Sequence, residues 1–269
     1  CYVKQDETPE ESKGSEAKLI GSLVHSMLLD NPDEFAGLYD FLPEEIEGIA
    51  INRHLKAHRE ILAGLEADAA EAGTTLITFE QYESAERLAN AAREDKIMAN
   101  LLNCTGAMKE VSAFTADGAS GQRIKARFDL IARYDGDPDL LKDVDWKPGD
   151  IIIPDIKTSE SQSPEQFTVR DVVNFGYWIS GALYRKVFHA VTGHMPRFWW
   201  LVLAKDKEGD CHSYVATLDD ADWFTASLEV DRQLLDLARS NLGGTFVSPF
   251  ANRVNVTRLP HYLRDKGGN

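Results

Sequence analysis

The sequence predicts an α/β domain with a central mixed β-sheet flanked by helices and an N-terminal part that is mainly helical. Three observations predict it. Residues 1–105 carry apolar side chains at helical spacing. Residues 106–245 alternate strand-like runs and turn signals in the order β-β-β-α-β-β, then a helix. Within that second stretch, Ile151-Ile152-Ile153 forms a continuous apolar run, the mark of a strand buried on both faces. The chain reads as one domain over 1–269, with an irregular tail at 246–269.

The elements follow in order. Residues 1–16 are polar and read as frayed. Ile20, Leu23, Val24, Met27 and Leu28 recur every three or four residues and define one helix face, which Asn31-Pro32 ends. Ile51, Leu55, His58, Leu62 and Leu65 predict a second helix closing near Gly73. Thr78 followed by Gln81 is a capping-box pattern that opens an alanine-rich helix to about Asn103. Val111–Phe114 reads as a strand, Asp117-Gly118 to Gly121 as a turn, and Ile124–Arg133 as a second strand broken by Asp135-Gly136-Asp137-Pro138. A loop at 137–150 leads to a short buried strand from Ile151 to Lys157, and a second loop follows at 158–167. Val172, Phe175, Ile179, Ala182, Leu183 and Val187 predict a helix. Phe198–Ala204 and Ser213–Ala216 predict a hairpin around the turn Lys207-Glu208-Gly209-Asp210, and Leu218–Leu237 a last helix. The tail is irregular from Pro249.

Composition narrows the class. Apolar content of 43% and charged content of 27% are those of an ordinary globular protein. No apolar run approaches the roughly 20 residues needed to cross a bilayer, and the polar start is not a signal peptide. The start at Cys1, without an initiator Met, suggests a piece of a longer chain. Cys1, Cys104 and Cys211 are too few and too scattered for a disulfide framework or a four-cysteine metal site, which fits a reducing cytoplasmic setting. The net charge of −15 argues against coating nucleic acid through bulk charge. A nucleic-acid enzyme with this balance must concentrate its cations locally or recruit metal.

The Ile124–Arg133 strand supplies such a concentration. Alternation puts Ile124, Ala126, Phe128, Leu130 and Ala132 on an apolar face. Arg123, Lys125, Arg127, Asp129, Ile131 and Arg133 fall on the other, a basic row with one carboxylate in it. The row reads either as a solvated face or as a phosphate-facing surface, and a second acidic site nearby favours the latter. Asp155-Ile156-Lys157 is that second site. Asp155 and Lys157 share one side of a buried strand, where a carboxylate and an ammonium are costly unless paired or functional. Carboxylates on neighbouring strands can hold one or two Mg²⁺ ions, and a lysine beside them can orient an attacking water and stabilise charge on a phosphate. His25 borders the first apolar stripe and reads either as a packed imidazole or as a metal ligand. His54 and His58, four apart, lack a third ligand and read as surface or packing residues.

Together these residues resemble a known family. Gly21-Ser22-Leu23-Val24-His25-Ser26-Met27-Leu28-Leu29-Asp30, with Pro32-Asp33-Glu34-Phe35, resembles the first motif of RecE-type exonucleases (exodeoxyribonuclease VIII). Lys125-Ala126-Arg127-Phe128-Asp129 is similar to that family's carboxylate strand, and Asp155-Ile156-Lys157-Thr158 to its catalytic Asp-x-Lys-Thr. The wider grouping is the PD-(D/E)xK nuclease superfamily, with RecB nuclease domains and lambda exonuclease, and the match covers roughly residues 20–205. The resemblance implies a restriction-endonuclease-like core and 5′→3′ digestion of one strand of linear duplex DNA, leaving 3′ tails for recombination by strand annealing. It implies Mg²⁺ (with Mn²⁺ as a substitute and Ca²⁺ as an inhibitor) held by His25, Asp129, Asp155 and the Ile156 carbonyl, and Lys157 as the catalytic lysine. It implies a tetrameric ring, a RecT-like annealing partner and a bacterial phage or prophage origin. Relatives carry Gln and, four residues on, Tyr after the lysine. Here Ser180 and Tyr184 stand in those places as DNA-contact candidates. Glu110 stands where relatives carry an acidic residue. Arg123, Lys125, Arg127, Arg133 and Arg170 are candidates for a 5′-phosphate pocket. The rival readings are an iron–sulfur nuclease of the same superfamily, disfavoured by the cysteines, and a catalytically silent DNA-binding or scaffold domain.

Overall fold

A computed structural model describes residues 9–46, 48–51, 54–144, 146–206 and 209–243. The tail at 246–269, part of the turn at Lys207-Glu208 and residues 1–8 of the polar start lie outside the described residues; residues 9–16, expected to be frayed, are helical.

The helical part comes first. The stripe from Ile20 to Leu28 lies on α1 (Pro9–Leu29), with Leu23 and Val24 fully buried. Asn31-Pro32 ends α1 and at once starts α2 (Pro32–Leu38): Asn31 caps it, Glu34 completes the box, and Pro32 occupies the first turn, where its missing N–H costs nothing. Short strands follow, β1 (Tyr39–Phe41) pairing in parallel with β4 (Thr75–Ile77), and β2 (Glu45–Ile46) pairing with β3 (Ile49–Ala50). Between them lies α3 (Lys56–Ala72), closed by Gly73 in the left-handed conformation. It buries His58, Leu62 and Ala69. Ile51, His54 and Leu55, expected on this helix, lie ahead of it. The alanine-rich helix is two helices, α4 (Phe79–Glu94) and α5 (Lys96–Asn103). Asp95 separates them because it leaves the helical conformation and its carboxylate accepts from the Ile97 and Met98 amides.

The sheet follows the expected order. Strand β5 (Met108–Ala116) pairs antiparallel with β6 (Arg123–Ile131); β7 (Ile152–Ser159) pairs in parallel with β8 (Arg197–Lys205), which pairs antiparallel with β9 (Cys211–Ala216). A single antiparallel bridge, Ala132–Ile152, joins the two halves. Between β7 and β8 the chain forms α6 (Pro164–Phe167), a π-helical turn at Thr168–Val172, and α7 (Tyr177–Thr192). The helix expected from Val172 to Val187 therefore begins only at Tyr177. Gly176 has a φ of 69°, which no α-helix continues through, so Val172 and Phe175 are not on its stripe. The last helix is α8 (Asp220–Gly243).

Both faces of the sheet are covered along β7 and β8. On β8, Trp199, Leu201 and Leu203 pack with α1, α4 and α5, whereas Phe198, Trp200 and Val202 pack with α7 and α8. On β7, Ile152 and Ile156 join the first layer and Ile153 the second. The apolar face expected for β6 is not continuous. Ala126 and Phe128 pack in the second layer, but Leu130 and Ala132 pack in the first, and Ile131, expected on the basic face, is buried in the second. The alternation changes phase at Asp129. There the β5–β6 register skips the Glu110–Asp129 pair, and Glu110 has a φ of 52°.

The β5–β6 turn is tied to α7. Lys186 on α7 donates to buried Asp117 at 2.7 Å and also pairs with Asp231 on α8. Burial pushes the Asp117 carboxyl upward, but hydrogen bonds from Lys186 and Ser120 outweigh it and bring it from 3.8 to about 2. Because the folded value is the lower one, the stabilisation is present above pH ~4 and is lost as pH falls toward 2. Asp117→Asn is expected to cost about 2 kcal/mol at pH 7. Urea unfolding of both proteins at pH 7 and near pH 2 checks this: the gap must shrink at the lower pH.

Candidate active site

The site lies where β6 and β7 part. After the Ala132–Ile152 bridge no ladder joins them, and the Ile156 amide donates instead to the Asp129 carboxylate at 2.9 Å. This leaves Asp129 facing β7 with its side chain 12% exposed. Helix α1 closes over the gap. Its His25 puts Nε2 3.1 Å from the Ile156 carbonyl oxygen and Nδ1 3.7 Å from the Asp129 carboxylate. Two features hold α1 this close. A Cβ added at Gly21 would stand 3.3 Å from Thr158 Oγ1, so glycine allows the helix to lie against β7. The end of α1 lacks basic residues of its own, and Arg93 and Lys109 donate to the Met27 and Leu28 carbonyls from elsewhere in the fold.

Glu110 completes the cluster. Its left-handed backbone brings its carboxylate to His25 and Asp129, whose ligand atoms lie with it within 4.8 Å of one another. Arg127 holds Glu110 from the other side at 2.9 Å. Asp155 and Lys157 occupy the next positions on β7. Asp155 is 7% exposed, lies within β7 and not at its exit, and is ion-paired with Lys157. Lys157 also donates to the Ile156 carbonyl at 3.2 Å, and its ammonium lies 5.2 Å from the centre of the Tyr177 ring.

The electrostatics are those of a site short of positive charge. Burial raises the Asp155 carboxyl, and Asp129 raises it further despite Lys157. Burial also raises Glu110, with Asp129 adding to the effect against Arg127. Burial pulls the Lys157 ammonium down, but Asp155 and Asp129 pull it further up, so it is held charged. Two or three carboxylates, an imidazole and a backbone carbonyl form a hard donor set that suits a divalent cation such as Mg²⁺ or Mn²⁺. A cation there would offset the burial, and the smaller repulsion from Asp129, that hold Asp155 and Glu110 above their ordinary range.

The structure thus brings His25, Glu110, Asp129, Asp155, Lys157 and the Ile156 carbonyl together, with Arg127 at the edge. Tyr184 on α7 adjoins them: burial and the nearby Asp155 and Asp129 raise its phenol, and its ring packs edge-on against Phe128. The other candidates lie apart. Arg123 and Lys125 are exposed further along β6, opposite Ala116 and Phe114. Arg133 donates to the Gly149 carbonyl, Arg170 pairs with Glu160, and the Ser180 hydroxyl is turned to the Tyr177 carbonyl. Residue-pattern reading missed Tyr177. Its one signal was Gly176 before it, which marks a helix start beside the lysine strand.

A family model described as a PDDEXK-like domain of unknown function matches residues 2–241. Among solved structures, a candidate exonuclease from Eubacterium rectale matches with a TM-score of 0.46 at 16% identity, covering 98% of this chain and 82% of that one. The protein SSO0001 matches with a TM-score of 0.26 at 14% identity, covering 80% and 84% respectively. No curated protein matches the chain.

Two outcomes are expected from this geometry. Mn²⁺ at about a hundred times its dissociation constant should raise the stability of the native chain by about 2.7 kcal/mol. Glu110→Gln and Asp129→Asn should each abolish most of that rise in a melting experiment; an unchanged rise in Glu110→Gln would remove Glu110 from the ligand set. Gly21→Val should fold but lose the Mn²⁺ response, because the branched side chain pushes α1 and His25 off β7. A response equal to that of the native chain would show that the close approach is dispensable.

Proposed function

The chain belongs to the PDDEXK-like domain family, and from that premise we propose that it is a metal-dependent exodeoxyribonuclease of the RecE type. It hydrolyses one strand of linear duplex DNA from the 5′ end. The observation that carries this reading is the convergence of His25, Glu110 and Asp129 beside the buried Asp155–Lys157 pair, at a gap opened within one sheet.

His25, Asp129, Asp155 and the Ile156 carbonyl, with Glu110, would hold the cation. A cation held there would supply Lewis-acid polarisation of the phosphate and an acidified water. The residues of the chain do the rest. Lys157, kept charged by Asp155 and Asp129, faces the developing negative charge on the phosphate and positions the attacking water as a donor. It does not serve as a base. Asp129 keeps the Ile156 amide occupied and so fixes the carbonyl beside it. Arg127 holds Glu110 and adds a positive edge to the cleft. Arg123 and Lys125 extend that edge along β6 toward the duplex, which confines phosphate contact to one face of an acidic protein. Arg133, Arg170, Ser180 and Tyr184 remain candidate DNA contacts, with Tyr184 the nearest to the carboxylates. The 5′→3′ polarity, the ring-shaped tetramer, the RecT-like annealing partner and the phage or prophage setting rest on the resemblance of residues 21–35, 125–129 and 155–158 to RecE-type exonucleases.

Linear duplex labelled at one 5′ end tests the reading. The native chain with Mg²⁺ should release label from the end, and Lys157→Ala should cut the rate at least a hundredfold while still binding the duplex. A closed circular duplex should stay intact. Release from the 3′ end would reverse the polarity, and no release from any end would leave a silent binding domain.

A further inference from the structure

The segment between α6 and α7 exposes three large apolar side chains beside the polar Arg170 and Asn174. Its inner face is anchored. Phe167 and Val172 are fully buried, and Asp171 accepts from Ser159, at the end of the lysine strand, at 2.5 Å. Its outer face exposes Val169 (71%), Val173 (58%) and Phe175 (68%). The buried residues anchor the segment, so Phe175, the largest of the exposed side chains, is presented to solvent from a fixed base.

The aromatic geometry connects this surface to the site. The Phe175 ring lies 5.7 Å from Tyr177, tilted by 41°, and Tyr177 lies 6.1 Å from buried Phe167. The Lys157 ammonium sits over the Tyr177 ring at 5.2 Å. A row of rings therefore runs from the core, past the lysine, to Phe175 in solvent. Gly176 makes this possible, because its positive φ ends the segment and keeps Phe175 off α7.

We propose that Phe175 is a stacking platform for an unpaired base at the end of the DNA strand whose phosphate lies at Lys157. The proposal rests on the nuclease reading and names what that site grips besides phosphate. Three observations point to a base. Phe175 is one ring removed from the lysine, so a strand whose phosphate lies at Lys157 comes within reach of it. The chain carries a net charge of −15, so phosphate attraction is confined to the β6 edge, and stacking adds affinity without adding charge. A base inside a duplex is already stacked on both sides, so a protein ring can replace a neighbour only at an end or on a base drawn out of its pair. That requirement selects ends, as an exonuclease must.

The test is equilibrium binding by anisotropy of two linear duplexes, one natural and one with a tetrahydrofuran abasic residue in place of the terminal base of the 5′ strand, in EDTA and again in Ca²⁺. Native chain should bind the natural end about tenfold more tightly. The ratio should hold across salt concentrations, since removing a base leaves the phosphates in place. Phe175→Ala should reduce the ratio to near one, Phe175→Trp should keep it, and Phe224→Ala, an exposed ring on α8, should leave it unchanged. A ratio in Phe175→Ala equal to that of the native chain would overturn the platform while leaving the nuclease reading intact. An unchanged ratio with an altered sedimentation coefficient would assign the patch to contact between protein chains and overturn it equally. No binding of either duplex in both conditions would overturn the platform and the nuclease reading together.

Discussion

The hydrogen bond from the Ile156 amide to the Asp129 carboxylate is the interaction on which the site is built. A continuous sheet would have satisfied that amide with a backbone carbonyl from β6. Here the strands are joined by one bridge at Ala132–Ile152, and a side chain takes over the duty of the ladder. A buried N–H must have a partner, so the exchange holds Asp129 against β7 while opening a gap wide enough for chemistry. The same contact fixes the residue, Ile156, whose carbonyl in the following peptide meets His25 and Lys157. One bond thus aligns groups from three elements, α1, β6 and β7.

Strain and charge are concentrated at that gap. Glu110 adopts a left-handed backbone, uncommon for a residue with a side chain, and its strand loses register with Asp129 at that point. The phase of β6 changes there too, which moves Leu130 and Ala132 to the α1 side and sends Ile131 to the α7 side. The packing of both layers over-determines the distortion. Around it stand carboxyls pushed upward by burial and by each other, with Lys157 as their close cation. The rest of the fold keeps this arrangement rigid: two fully packed layers, a capped α1, and Lys186 joining the β5–β6 turn to α7 and α8.

Much of this was legible in the chain itself. The order of strands and helices, the C-terminal boundary of α1, the capping box at Thr78, and the buried β7 all follow from periodicity and caps, which are local. So do the motifs around His25 and Lys157, whereas Asp129 sits where the alternation of its own strand changes phase. The misreadings have local causes as well. Asp95 carries no apolar signal that its helix stops, yet as a cap it divides α4 from α5. Phe175 falls at helical spacing with Ile179, and only the conformation of Gly176 takes it off the helix.

The sequence by itself determined the fold class, the elements that carry the site, and the residue types available for metal and phosphate. Tertiary structure alone decided which of them meet. Glu110 joins His25 and Asp129 because of a backbone distortion forced by strand pairing, whereas Asp155, nearer in motif, turns to Lys157. Arg133 and Arg170, phosphate candidates alongside Arg127, end on a loop carbonyl and a surface carboxylate. The physical reason is the range of the forces. Helix and strand patterns are set by neighbours along the chain, while the convergence of side chains depends on register, phase and the close approach of α1 at Gly21. These are settled only when distant segments pack.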